Sequence, residues 1–144
     1  MRATVRRIGR LIASNRGLAA IEFALLAPPL LMMAFAIVVY SIYFTAMMGV
    51  REAAAEGARA AVAGLSSTER ASLASTRARE VAETYAALTG GAAPSITTAS
   101  LGSAGFSVTV SCDMSASPIM RYGRFVPLPS SHVAATVTVN NGSY

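Results

Sequence analysis

The sequence has one cysteine, one histidine, no tryptophan and no lysine in 144 residues. A single cysteine, Cys112, cannot form an internal disulfide, so a small disulfide-stapled secreted scaffold is excluded. With His132 as its one companion, it falls short of the four ligands of a structural zinc site. Charge is scarce too, at 13% of residues, while mean hydropathy is +0.50. Disorder needs the opposite balance, few apolar residues and many charges. Phosphate loops, dinucleotide fingerprints and metal-ligand clusters are missing from the pattern, as is any G-x-S-x-G turn around a nucleophile. His132, Asp113 and a serine make a triad on paper, with no local motif in support. The chain reads as a non-enzyme without cofactor or metal.

Acids are few where bases are many, and the imbalance is local. The formal charge of +5 and a pI near 10.1 raise nucleic acid or an anionic surface as partners. Arg2, Arg6, Arg7, Arg10 and Arg16 lie in residues 1–17 with no acid among them, and supply the whole excess. The other seven arginines are balanced by seven acids. A basic arm of this kind orients a chain in a membrane, and the sequence offers no nucleic-acid face.

What is present in abundance is apolar sequence. Between Arg16 and Arg51 lie 34 residues with one charge, Glu22. A bilayer core takes about 20 apolar residues, and Leu30–Val50 alone supplies 21 without an ionisable group. This predicts a single transmembrane helix. The arginines before it place the N-terminus in the cytoplasm and the chain after Arg51 outside. A signal peptide has a similar basic start, but its apolar region runs only about 7–15 residues.

Glu22 has two readings. An acid inside a membrane costs roughly 2.5–3.5 kcal/mol and marks a function with a partner; at the cytoplasmic interface it is hydrated and cheap. Pro28 and Pro29 predict a kink or a helix start. They serve as a joint, or are simply tolerated as prolines are in membrane helices. Beyond the span, Ala53–Ala55, Ala58, Ala60, Ala61 and Ala63 continue the helix, which Gly64 ends. Their small side chains suit close helix packing in a bundle or filament, or reflect alanine's helix propensity alone.

After Gly64 the expected organisation is a small α+β domain. Ser66-Ser67-Thr68-Glu69 forms a capping box. Ala71, Ala74, Ala78, Val81, Tyr85 and Leu88 make one apolar stripe, and Gly90-Gly91 stops that helix. A strand is expected at 96–101. Phe106, Val108, Val110 and Cys112 alternate with polar residues, as do Val133, Ala135, Val137 and Val139 with their neighbours, giving two half-buried strands. The 113–131 loop holds Met120, Tyr122, Phe125 and Val126. They form a contact surface or pack over the open sheet face. Cys112 reads as a buried, inert thiol.

The stretch Arg16-Gly17-Leu18-Ala19-Ala20-Ile21-Glu22-Phe23 resembles the processing site of type IV pilin-like proteins. Downstream, Pro28-Pro29, Arg51-Glu52-Ala53 and Gly57-Ala58-Arg59 narrow the resemblance to TadE-like pseudopilins of tight-adherence (Flp) pilus systems, over about residues 14–63. Phe23 departs from the tyrosine frequent at Flp-type sites.

The resemblance implies cleavage by prepilin peptidase between Gly17 and Leu18. It implies that Glu22, followed by Phe23, pairs with the new N-terminal amine of a neighbouring subunit during assembly. The implied organisation is a leader (1–17), a membrane and assembly helix (18–63) and a periplasmic domain (64–144). The implied function is that of a minor pseudopilin, TadE-type or TadF-type, in a bacterial inner membrane. Its partners would be the peptidase, other pilin or pseudopilin subunits and the assembly machinery, with no nucleic acid or small-molecule substrate. The alternative is an uncleaved single-pass membrane protein whose outer domain binds a partner.

Overall fold

The computed structural model describes residues 15–102 and 105–140. Arg2, Arg6, Arg7 and Arg10 lie outside the described residues. Within those described, three helices, a 3-10 helix and three strands follow one another along the chain. The first helix, α1, runs Asn15–Ala61, 47 residues or about 70 Å. Pro28 and Pro29 lie inside it, so the helix starts well before the prolines, not at them. The missing amide of each proline is tolerated where neighbouring groups compensate and the flanking sequence is strongly helical, as Leu, Ala and Met make it here.

The chain divides into two units, one ending at Ile37 and one running from Val38 onward. In the first unit α1 is apolar on every side and exposed on every side. Leu18, Ile21, Leu25, Leu26, Leu30, Leu31, Met32, Met33 and Ile37 are all more than half exposed. Leu18–Ile37 is 20 residues, about 30 Å of helix, which is the thickness of a bilayer core. By length and composition α1 is able to cross a membrane, which suggests single-pass anchoring.

The second unit is the α+β fold expected. Here α1 changes character: Val39, Ala46, Val50, Ala53, Ala54, Ala58 and Ala61 are buried, at helical spacings of three, four and seven. The fully exposed apolar stretch is therefore displaced toward the N-terminus of the charge-free Leu30–Val50 run, because that run's second half turns a stripe into the core. Helix α2 (Ser67–Thr84) opens at Ser66, whose hydroxyl accepts a hydrogen bond from the Glu69 amide at 3.2 Å. The Glu69 carboxylate accepts in return from the Leu65 amide, one residue upstream of the cap. Ala74, Ala78, Val81 and Ala82 of α2 are buried. Ala71, Tyr85 and Leu88 pack partly buried against the same core, as the stripe predicts. Tyr85 departs from helical backbone and splits the expected helix. A single turn, α3 (Ala86–Thr89), follows. Gly90 ends it at φ +80, where a side chain would also strike the Ala116–Ser117 backbone.

Strands β1 (Ser95–Ser100), β2 (Phe106–Asp113) and β3 (His132–Val139) form one antiparallel sheet in chain order. Val108 faces Thr98 on one side and Val137 on the other, and Val110 faces Ile96 and Ala135. These rows carry the inward residues. The outward row Thr97, Thr109, Thr136 carries a 2.8 Å hydrogen bond between the last two hydroxyls. The second part of α1 lies close over this core. A side-chain carbon on Gly57 would stand 2.9 Å from the Ala74 carbonyl oxygen and from the Ala78 methyl, and 3.3 Å from Val108. Only glycine allows that approach.

Candidate functional site: the amino-terminal turns of the long helix

The four residues singled out by the sequence are brought together by one element. Gly17, Leu18, Glu22 and Phe23 lie in the first turns of α1, ahead of the prolines. The Ala19-Ala20 pair favours helix here. Leu18 and Glu22 are four apart, so they share a face one turn, about 6 Å, along the axis. Phe23 stands beside that face, 71% exposed, and Leu18 and Glu22 are exposed too. Among the described residues no ion pair reaches Glu22. Its carboxylate stands in an apolar surround of Leu18, Ile21, Leu25 and Leu26, all exposed. Such a surface provides a negative charge, an apolar wall and room for a partner. The Gly17–Leu18 bond is itself inside the helix, so a protease acting there must first open that turn.

The second set of residues, Arg51-Glu52-Ala53 and Gly57-Ala58-Arg59, serves the fold. Ala53, Gly57 and Ala58 are buried in the seam with α2 and β2. Glu52 accepts a 2.6 Å hydrogen bond from the Tyr85 hydroxyl, which raises the phenol's pKa because the neutral form is the donor. Glu56 pairs with Arg59 and lies 3.8 Å from Arg77 of α2. Ala53, Ala54, Ala58 and Ala61 thus pack within the chain. Sequence reading missed these charged partners because Tyr85 and Arg77 lie about 20 to 30 residues away, with no periodicity connecting them.

The residues of the paper triad fall at one end of the sheet. Asp113 and His132 are directly opposed in the β2–β3 register. Hydrogen bonds from Ser115 hold the Asp113 carboxyl below its usual range, with a smaller contribution from His132. That carboxylate closes a turn by accepting from the Ser115 amide at 2.9 Å. Cys112 is buried, as expected, and desolvation pushes its thiol up, away from the nucleophilic thiolate. Among the described residues no group of His, Cys, Asp or Glu is placed to hold a metal ion.

The 113–131 loop lends a few residues to the core. Met114, Ile119 and Val126 are buried, while Met120 and Leu128 pack against the core from its edge. Tyr122 and Phe125 remain exposed, so the loop divides between the two roles open to it.

No curated protein and no solved structure matches the chain. A family model does match, and it begins at Gly17 and ends at Arg59. It covers the glycine, the acid, the prolines and the seam residues of α1, and leaves α2, α3 and the sheet outside. The match suggests a protein associated with the Tad pilus, and so with pilus components in general. Over residues 17–59 the chain matches the family model described as TadE-like protein.

Proposed function

We propose that the chain is a minor pseudopilin of a tight-adherence pilus, made as a membrane-anchored precursor and matured by prepilin peptidase between Gly17 and Leu18. The observation that carries this is an acid at the fifth position after a candidate cut, exposed on an otherwise apolar stretch of helix within a TadE-like segment. Cleavage leaves an ammonium on Leu18. In hydrocarbon an unpaired ammonium and an unpaired carboxylate are both costly, so a subunit whose Glu22 meets the amine of its neighbour is held in axial register. Phe23 and Ile21 supply apolar contact around that pair. The five leader arginines keep the N-terminus cytoplasmic until cleavage removes them, and the matured chain is formally balanced, seven arginines against seven acids. The role is structural, with no catalytic residue or cofactor. A matured chain that carries a sheet domain is larger than the short helical major pilins, which favours a minor subunit that initiates, caps or supports the filament.

Intact mass and N-terminal sequencing of the protein from its own host test the cut. The expected N-terminus is Leu18, and Gly17→Ala accumulates precursor in the membrane. A wild-type chain that keeps Met1 while the peptidase is present overturns the processing step. It leaves the uncleaved membrane protein in its place. Glu22→Gln should be cut normally and fail in assembly. Assembly at the wild-type level would remove Glu22 from the pairing role.

A further inference from the structure

The exposed aromatic residues of the 113–131 loop have a neighbour that fixes their depth. The Tyr40 hydroxyl donates a 3.1 Å hydrogen bond to the carbonyl oxygen of Pro127. Tyr40 comes three residues after Leu18–Ile37, 20 residues with Glu22 as their one charge, so with that stretch as the span it stands where about 30 Å of hydrocarbon ends. Tyr43 and Phe44 stand in edge contact beside it, with ring centroids 5.9 Å apart, and the Tyr40 and Phe44 rings are 6.3 Å apart. Tyrosines at that depth are what a membrane–water boundary selects. The bonded loop segment shares the depth of Tyr40.

The loop is built to hold its apolar groups outward. Ile119 and Val126 are buried, and the 3-10 helix Pro118–Arg124 ends with the Tyr122 carbonyl accepting from the amides of Phe125 and Val126. Tyr122 is 40% exposed, unlike Ile119 one turn before it. Phe125 is 58% exposed although the smaller Val126 next to it is buried. Charge follows the same bias. Residues 114–131 contain two arginines, at 121 and 124, and not one acid, and Arg121 is exposed beside Tyr122. Aromatic residues beside positive charge suit the headgroup layer of an anionic bilayer. They suit a protein partner's acidic surface less well, since the bilayer boundary is what lies at that depth.

We propose that the 118–128 segment docks on the outer leaflet, with Tyr122 and Phe125 in the interfacial layer and Arg121 facing anionic phospholipid headgroups. The span of α1 and this loop then hold the outer domain at two points. The inference rests on the reading of α1 as a membrane anchor.

The absence of tryptophan makes the test direct. Full-length Phe125→Trp is reconstituted in vesicles of phosphatidylcholine with phosphatidylglycerol, and in phosphatidylcholine alone. Leu65→Trp, at a position 97% exposed, is the reference. Flotation of both proteins with the vesicles reports the anchor. In the mixed vesicles the indole of the Phe125→Trp protein should emit blue of that in the Leu65→Trp protein. It should also be quenched by lipids spin-labelled near the headgroup. Adding Arg121→Gln to Phe125→Trp should lower the docked population about fivefold on the anionic vesicles, the equivalent of about 1 kcal/mol per charge. Floating Phe125→Trp protein that emits like the reference overturns the docking and leaves the anchor standing. So does a blue-shifted emission that spin-labelled lipid does not quench, which would mean that protein covers the site. Failure to float overturns the anchor and the docking together.

Discussion

Helix α1 is one element with two chemistries. Over Leu18–Ile37 its leucines, isoleucines and methionines are exposed on all sides. From Val39 to Ala61 the inward positions are almost all alanine, valine or glycine, and they are buried on one side only. The first stretch is written for a solvent that is itself apolar, where helix faces need not differ. The second is written for water on one side and two close neighbours, α2 and the sheet, on the other. Bulk is useful in the first and excluded from the second. Apolar content alone does not separate them; the size of the side chains and their period do.

That contrast breaks if equivalent changes in the two regions have equal effects. The largest difference is expected between two phenylalanines. Phe106→Ala empties a fully enclosed site and should cost about 3–5 kcal/mol, whereas Phe35→Ala, on an exposed face, should leave the unfolding of the second unit unchanged. Thermal unfolding of the detergent-solubilised protein, followed by near-ultraviolet circular dichroism, measures both. An equal loss for Phe35→Ala would mean that the first stretch has a packing partner within the domain.

A smaller difference is expected from added bulk. Gly57→Leu drives a side chain into the Ala74 carbonyl and Ala78, and overpacking of this kind costs about 1–3 kcal/mol. For a domain of this size that is a fall in Tm of about 4–8 °C per kcal/mol. Ala24→Leu, on the exposed face of the first stretch, should not move the Tm.

The smallest effect is a pH dependence confined to the second unit. Asp113 has its carboxyl held below the unfolded value by Ser115, so its contribution is present above about pH 4 and is lost as pH falls through the lower folded value. Asp113→Asn should therefore flatten the acid side of the Tm profile slightly. Glu22→Gln should leave that profile as it is, and a shift there would tie the first stretch to domain stability.

Much of this was legible in the sequence, for identifiable reasons. The apolar run, the Ser66 cap, the stripe from Ala71 to Leu88 and the alternations through Phe106–Cys112 and Val133–Val139 are legible signals, and each became the element it indicates, except that the stripe is split at Tyr85 between α2 and α3. The start of α1 was not legible, because Pro28-Pro29 mark a boundary as often as they are carried inside a membrane helix. Nor was the fate of the alanines at 53–61, since alanine suits an internal seam and an intermolecular one equally. The 3-10 helix at 118–124 lacks any period long enough to read, and the buried Met114 and Ile119 gave no hint of where they pack. Of the candidate site, the sequence indicated the residues; the structure adds that Leu18 and Glu22 share one exposed helical face, and that Arg51–Arg59 belong to the fold.

The Gly57 seam also decides where the chain divides into transferable parts. A fragment beginning at Leu65 keeps both short helices and all three strands, yet it strips away the wall formed by Val50, Ala54, Gly57, Ala58 and Ala61 and leaves Val108 facing water. A fragment beginning at Val38 keeps that wall. Transfer of the second unit to another helix would then succeed when the joint is made within α1, near residue 38, and fail when it is made at the turn after Ala61. As a folding unit, the latter part of the long helix belongs with the sheet it covers.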